Sequence, residues 1–209
     1  MAQGYSFDEM TAVMKKAAAA MRDAEVEFAL AGSLAIWARG GPESSHDLDF
    51  VLRERDAERA LAALEAAGLK REDPPEEWLV KAWDESGVLV DLIFGPSGVY
   101  ADQVLANAEP LNVVSMKMPV MALEDVIVTK VMSLTEHSVD YGTLIEMARA
   151  LREQIDWETV RRRTAESPFA AAYFVLLDRL GIVPEGRPAG GPEGGRVRVE
   201  VTGPGEGRS

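Results

Sequence analysis

Asp47 and Asp49 stand two residues apart in His46-Asp47-Leu48-Asp49-Phe50-Val51-Leu52, a short run rich in β-formers that predicts a strand. Side chains at i and i+2 of a strand leave from the same face. The two carboxylates are then side by side among Leu48, Phe50 and Val51, where like charges are unfavourable without a counter-charge. A divalent cation supplies one, and hard oxygen donors suit Mg²⁺. A third acid, Asp91, lies inside Val88-Leu89-Val90-Asp91-Leu92-Ile93-Phe94. Packing explains an Asp between two apolar triplets poorly. If the two segments are neighbours in one sheet, Asp91 joins the pair. Each piece also has a plainer reading: D-x-D is common, and a strand Asp is often buried against backbone amides. Both together, below a Gly-Ser turn, are hard to obtain by accident.

That turn is Gly32-Ser33, at the end of the apolar run Val26 to Ala31. A glycine at a strand-to-helix corner lets backbone N–H groups approach a phosphate, and the hydroxyl adds a donor. An ordinary turn with Ser as helix cap fits the same residues. Lys130 lies at helical spacing from Leu123, Val126, Ile127 and Leu134, on a stripe that should be buried. It either snorkels to solvent or reaches a cleft to meet phosphate. Asp140 opens the next helical segment, where an acid is favourable in any case.

The elements that must position these groups follow from periodicity and punctuation. Ser6-Phe7-Asp8-Glu9 fits a capping box, and Phe7, Met10, Val13, Met14, Ala17, Ala18 and Met21 recur at helical spacing. Val26 to Ala31 predicts a strand, Leu34 to Arg39 a turn or two of helix, and Arg55 to Ala67 a helix stopped by Gly68. Trp78–Trp83 and Val88–Phe94 predict two strands joined by the turn 84–87. A helix near Ala101–Ala106 and a β-like stretch near Val113–Met121 come next. From Leu123 the pattern is helical, over 122–135, 140–153, 156–166 and 168–180. Strands early and helices late predict an α+β unit followed by a helical lobe: a catalytic domain over 1–121, a helical lobe over 122–180 and a tail over 181–209. Half of the 18 glycines and four of the 11 prolines fall in the tail, a composition that predicts disorder.

Composition narrows the function. The chain has 209 residues, 22 Lys+Arg against 35 Asp+Glu, a net charge of −13 and no cysteine. Disulfides, thiol nucleophiles and cysteine zinc sites are excluded, as is a chain-wide basic surface for nucleic acid. No apolar run approaches the ~18–20 residues of a membrane span. MAQGYSFDEM lacks the order of a signal peptide, so the expectation is a cytoplasmic protein that does not meet a membrane.

Ala31-Gly32-Ser33, thirteen residues, Asp47-Leu48-Asp49-Phe50, and later Val90-Asp91-Leu92-Ile93-Phe94 together resemble the signature of the polymerase-β-type nucleotidyltransferase superfamily. Within it the chain is similar to small bacterial nucleotidyltransferases, including AbiEii-type toxins of toxin–antitoxin systems, and to enzymes that nucleotidylate antibiotics. The resemblance implies a nucleotidyltransferase-like mixed sheet with flanking helices. It implies that Asp47 and Asp49 hold two Mg²⁺ ions, and that Asp91 completes the set and assists deprotonation of an acceptor hydroxyl. Gly32 and Ser33 would bind the β/γ-phosphates of an NTP such as ATP. The reaction implied is transfer of a nucleoside monophosphate to tRNA, an antibiotic or a protein. In AbiEii-type toxins a lysine and a later aspartate from the helical region join the site; Lys130 and Asp140 look like these two, without the D-x-x-D form, and an antitoxin would be the partner. The alternative is a catalytically silent nucleotide-binding or partner-binding protein of the same fold.

Other residues read more simply. His46 and His137 fit polar surface positions, Arg161-Arg162-Arg163 a solvated face, and Trp78 and Trp83 core packing, while Arg39 either reaches a phosphate or is exposed. Charge divides the acceptors. A cationic aminoglycoside suits an acidic cleft, whereas tRNA requires a local basic patch, for which Arg149, Arg152 and Arg161–Arg163 are the candidates.

Overall fold

The computed structural model describes residues 6–43, 48–72 and 74–183. Helix α1 (Phe7–Asp23) starts at the expected capping box: Ser6 Oγ accepts from the Glu9 amide, and Glu9 accepts from the Ser6 amide. Its apolar stripe, Met10, Val13, Met14, Ala17, Ala18 and Met21, is buried. Strand β1 (Phe28–Leu30), helix α2 (Gly32–Trp37), strand β2 (Leu48–Leu52) and helix α3 (Glu54–Ala66) follow. Next come β3 (Lys70–Glu72), β4 (Leu79–Trp83), β5 (Leu89–Ile93), α4 (Ala101–Asn107), β6 (Glu109–Val113) and β7 (Met116–Val120). The chain then turns helical, with α5 (Leu123–Met132), α6 (Tyr141–Leu151), α7 (Trp157–Arg163) and α8 (Pro168–Arg179).

One mixed sheet runs in the order β3-β4-β5-β2-β1-β7-β6. β2 lies parallel to β5 and β1 parallel to β7, while the remaining neighbours are antiparallel. Alternate positions sort the two faces. Leu48, Phe50, Leu52, Val90 and Leu92 are fully buried in the main core, where Phe28 meets Phe50 edge-on at 5.4 Å. The opposite face carries Asp49, Val51, Asp91 and Ile93, paired Asp49 with Asp91 and Val51 with Ile93.

Two strands depart from expectation. β3 is exposed at all three of its charged residues and offers no apolar alternation to read; it is an edge held by pairing with β4. The β-like stretch near Val113–Met121 is instead a hairpin, β6 and β7, turned by Val114 and Ser115 at φ 46° and 66°. A turn of that kind normally announces itself with Asn or Gly, which is why its first strand escapes the pattern.

The helical part is fastened by buried polar links. Arg163 of α7 pairs with Asp125 of α5 at 2.6 Å, and Asp125 is 1% exposed. The Tyr173 hydroxyl donates to Leu144 O, and burial pushes that phenol up. Arg39 joins this part to the sheet: it donates to Val120 O and Met121 O, pairs with Glu109, and its own carbonyl accepts from Gln154. Far from being a solvated surface arginine, it fixes the entry to α5.

Candidate active site

Parallel pairing of β2 with β5 places Asp49 opposite Asp91. Residues in register share a face and lie about 5 Å apart, so two acids far apart in the chain become neighbours. Asp91 is 7% exposed and Asp49 is half-buried. Asp47 and His46 lie outside the described residues.

Gly32 closes one side. Its φ is +57°, the left-handed region that favours glycine. A Cβ there would lie 1.8 Å from Asp49 Oδ2, so the backbone corner rests directly against the carboxylate. The Ala31 amide donates to Asp49 O at 2.9 Å, which locks the corner to β2. Ser33 follows in the first turn of α2 and is half-buried, but it does not line the cleft.

The cleft holds about 160 Å³ between this sheet face and α5. Asp49, Gly32, Trp78, Ser97, Lys130 and Ser133 are among its walls. Lys130 therefore takes the cleft-facing option that its position left open. Asp140 does not reach the cleft lining. It caps α6, accepting from the Thr143 hydroxyl at 2.6 Å and the Thr143 amide at 3.3 Å. Those two bonds hold its carboxyl below the usual range, with a smaller contribution from the Lys130 charge.

Trp78 and Trp83 are not core residues. They are 46% and 37% exposed; the Trp83 indole N–H donates to Glu72, and Trp78 stands at the cleft. Lys81 of β4 is a neighbour of Asp91 that the sequence pattern does not reveal, and like Asp91 it lies outside the cleft lining. It pairs in register with Asp91, and its Nζ lies 3.9 Å from Asp91 Oδ1. A lone polar residue in Leu79-Val80-Lys81-Ala82-Trp83 is the available signal, but its target depends on strand order.

Hard carboxylate oxygens paired across two strands, with a glycine corner pressed on one of them, suit a divalent cation. Among the described residues, no three acidic or histidine side chains form a metal-binding group. The described part of such a donor set is Asp49 with Asp91. No helix among the described residues is long and apolar enough to cross a membrane.

The mixed sheet thus sets Asp49 and Asp91 side by side next to the Gly32 corner. A family model described as an uncharacterised nucleotidyltransferase matches residues 44–180. The chain belongs to that family of nucleotidyltransferases. No curated protein matches it. Among solved structures it is similar to the antibiotic-resistance factor ANT(2'')-Ia in solution, 17% identical with a TM-score of 0.59, covering 84% of this chain and 99% of that one. The crystal structure of ANT(2'')-Ia in complex with adenylyl-2''-tobramycin is 16% identical, TM-score 0.57, covering 79% and 99%. An antigenic nucleotidyltransferase-like protein from Paracoccidioides brasiliensis is 15% identical, TM-score 0.52, covering 84% and 90%. At these identities the likeness is one of fold.

Proposed function

We propose that the protein transfers a nucleoside monophosphate from an NTP to a hydroxyl of a small-molecule acceptor. The observation that carries this reading is the register pairing of Asp49 with Asp91 beside Gly32. Asp47, Asp49 and Asp91 would hold the divalent cations, two Mg²⁺ by family resemblance. When bound, they supply charge neutralisation to the attacking and leaving oxygens of an in-line displacement. Asp91 accepts the acceptor's proton. The acceptor oxygen bonds to the α-phosphorus, the bond from that phosphorus to the bridging oxygen breaks, and pyrophosphate leaves. The Gly32-Ser33 corner receives the β/γ-phosphates, and Lys130 opposes their charge. The protein mainly positions groups and balances charge.

Strand order supports one orientation of the reaction. Gly32 lies on the β1 side of the acid pair and Trp78 on the β4 side. Attacking and leaving oxygens take opposite sides of the phosphorus, so with pyrophosphate at Gly32 the acceptor enters past Trp78. A small acceptor is favoured over tRNA because four of the five arginines of the candidate basic patch, all but Arg149, already have side-chain partners. Arg152 pairs with Glu153, Arg161 with Asp178 and the Phe174 ring, Arg162 with Thr159, and Arg163 with Asp125. That engagement also weakens the toxin reading, in which tRNA is the acceptor and an antitoxin the partner.

Incubating the full chain with each α-labelled NTP, Mg²⁺ and a panel of hydroxylated amines, tRNA and proteins tests this directly. Label on a small acceptor, with pyrophosphate released, is the expected result. No transfer from any NTP would refute the catalytic reading, and nucleotide binding without product would favour a silent protein of this fold.

A further inference from the structure

Lys81 lies on an interior strand of the sheet, and the register lines up Lys81, Asp91 and Asp49 in one row across β4, β5 and β2. Its Nζ is 3.9 Å from Asp91 Oδ1, and the two side chains are 19% and 11% exposed. That distance is an ion pair rather than a hydrogen bond. A shielded ammonium is costly unless it faces opposite charge, and the row shows which charge it faces.

We infer that Lys81 is the resident counter-ion of the acid site: it balances Asp91 when no metal is present and opposes the divalent cation when one enters. This rests on the metal site proposed above. A metal–oxygen bond of ~2.1 Å for Mg²⁺ puts any ion held by Asp91 Oδ1 within about 6 Å of the ammonium as it now lies. At that range in a partly buried site the two cations repel appreciably. Lys81 therefore lowers cation affinity while stabilising the acids in the absence of metal. It is a positioning residue that acts through Asp91.

The test compares wild type, Lys81→Met and Lys81→Arg as full chains without nucleotide. Mn²⁺ affinity is read by calorimetry or electron paramagnetic resonance, and thermal stability is read with and without Mg²⁺. Lys81→Met should bind Mn²⁺ about tenfold more tightly. It should melt lower without metal and gain more from Mg²⁺ than wild type does. Lys81→Arg, which keeps the charge, should stay within about threefold of wild type. Lys81→Gln accompanies the series with the expectation of Lys81→Met, should the latter fail to fold. An unchanged or weakened Mn²⁺ constant in the folded neutral variant, with wild type binding normally, overturns this inference alone. No Mn²⁺ binding by wild type overturns the metal site and the inference with it.

Discussion

Replacing Gly32 with alanine separates the two costs its position imposes. The first is conformational: φ is +57°, and an L residue held there loses about 1–2 kcal/mol. The second is local: the new methyl would lie 1.8 Å from Asp49 Oδ2, 2.8 Å from its Cγ and 3.1 Å from its Cβ. Ordinary contact begins near ~3.5 Å, so the carboxylate must swing away by more than an ångström. A displacement of that size in a reacting constellation costs on the order of 100-fold in rate. Gly40 supplies the control. Its φ is +90° and nothing lies within 4 Å of where its methyl would stand, so Gly40→Ala carries the backbone cost without the collision. Both variants should melt roughly 2–8 °C lower, but only Gly32→Ala should lose label transfer from α-labelled NTP, by at least ~100-fold. Equal activity in the two variants would refute the claim that close approach of backbone to Asp49 builds the site.

Trp78→Ala should barely move the melting temperature, since the ring is 46% exposed. With an acceptor in hand, it should raise the KM for that acceptor on the order of tenfold while leaving the KM for NTP within about twofold; the opposite split would put the nucleobase on the indole. Asp84, in the β4–β5 turn, gives a pH test. Burial pushes its carboxyl up, but the Lys16 ammonium at 2.7 Å and the Ser86 amide and hydroxyl outweigh it, so the net shift is downward from 3.8. A lowered folded-state pKa contributes stability above the unfolded carboxyl's pKa and loses it as pH falls through the folded one. The melting gap between wild type and Asp84→Asn should therefore be widest near neutral pH and close below about pH 4; a gap independent of pH would show that the charge is irrelevant. Asp125→Ala strands Arg163 at the α5–α7 contact and should cost about 3 kcal/mol in urea unfolding. A loss below ~1 kcal/mol would mean the pair behaves like a surface one.

What can be read in advance divides along physical lines. Helix starts are written locally: Ser6 with Glu9, Asp156 with Thr159 and Ser167 before Pro168 each cap the helix their spacing predicts. The strands that carry the acids are legible because an Asp stands out against Val, Leu and Ile. β3 and β6 are not, because edge strands bury one side at most and can be built from charged or mixed residues. Trp78 shows a related limit. An aromatic beside a strand looks the same in sequence whether the sheet ends beyond it or continues, and only the packing of loop 94–98 and α5 leaves this one at a cleft.

The site makes the sharper point about non-local information. Asp91 is conspicuous because no opposite charge lies within three residues of it along the chain in either direction, which is the mark of a group whose counterpart lies across the sheet. The same logic applies to Lys81, in the middle of its strand, yet its signal is weaker because lysines are common on strands that reach solvent. Given strand order, the row Lys81–Asp91–Asp49 follows from three sequence positions and a pleat of period two. Each charge on that row makes the others tolerable or costly, so a change at any one should alter cation binding at the rest. Such coupling in a cation titration would mark a functional centre more strongly than any single acid does, because a merely structural buried Asp needs only its nearest hydrogen bonds.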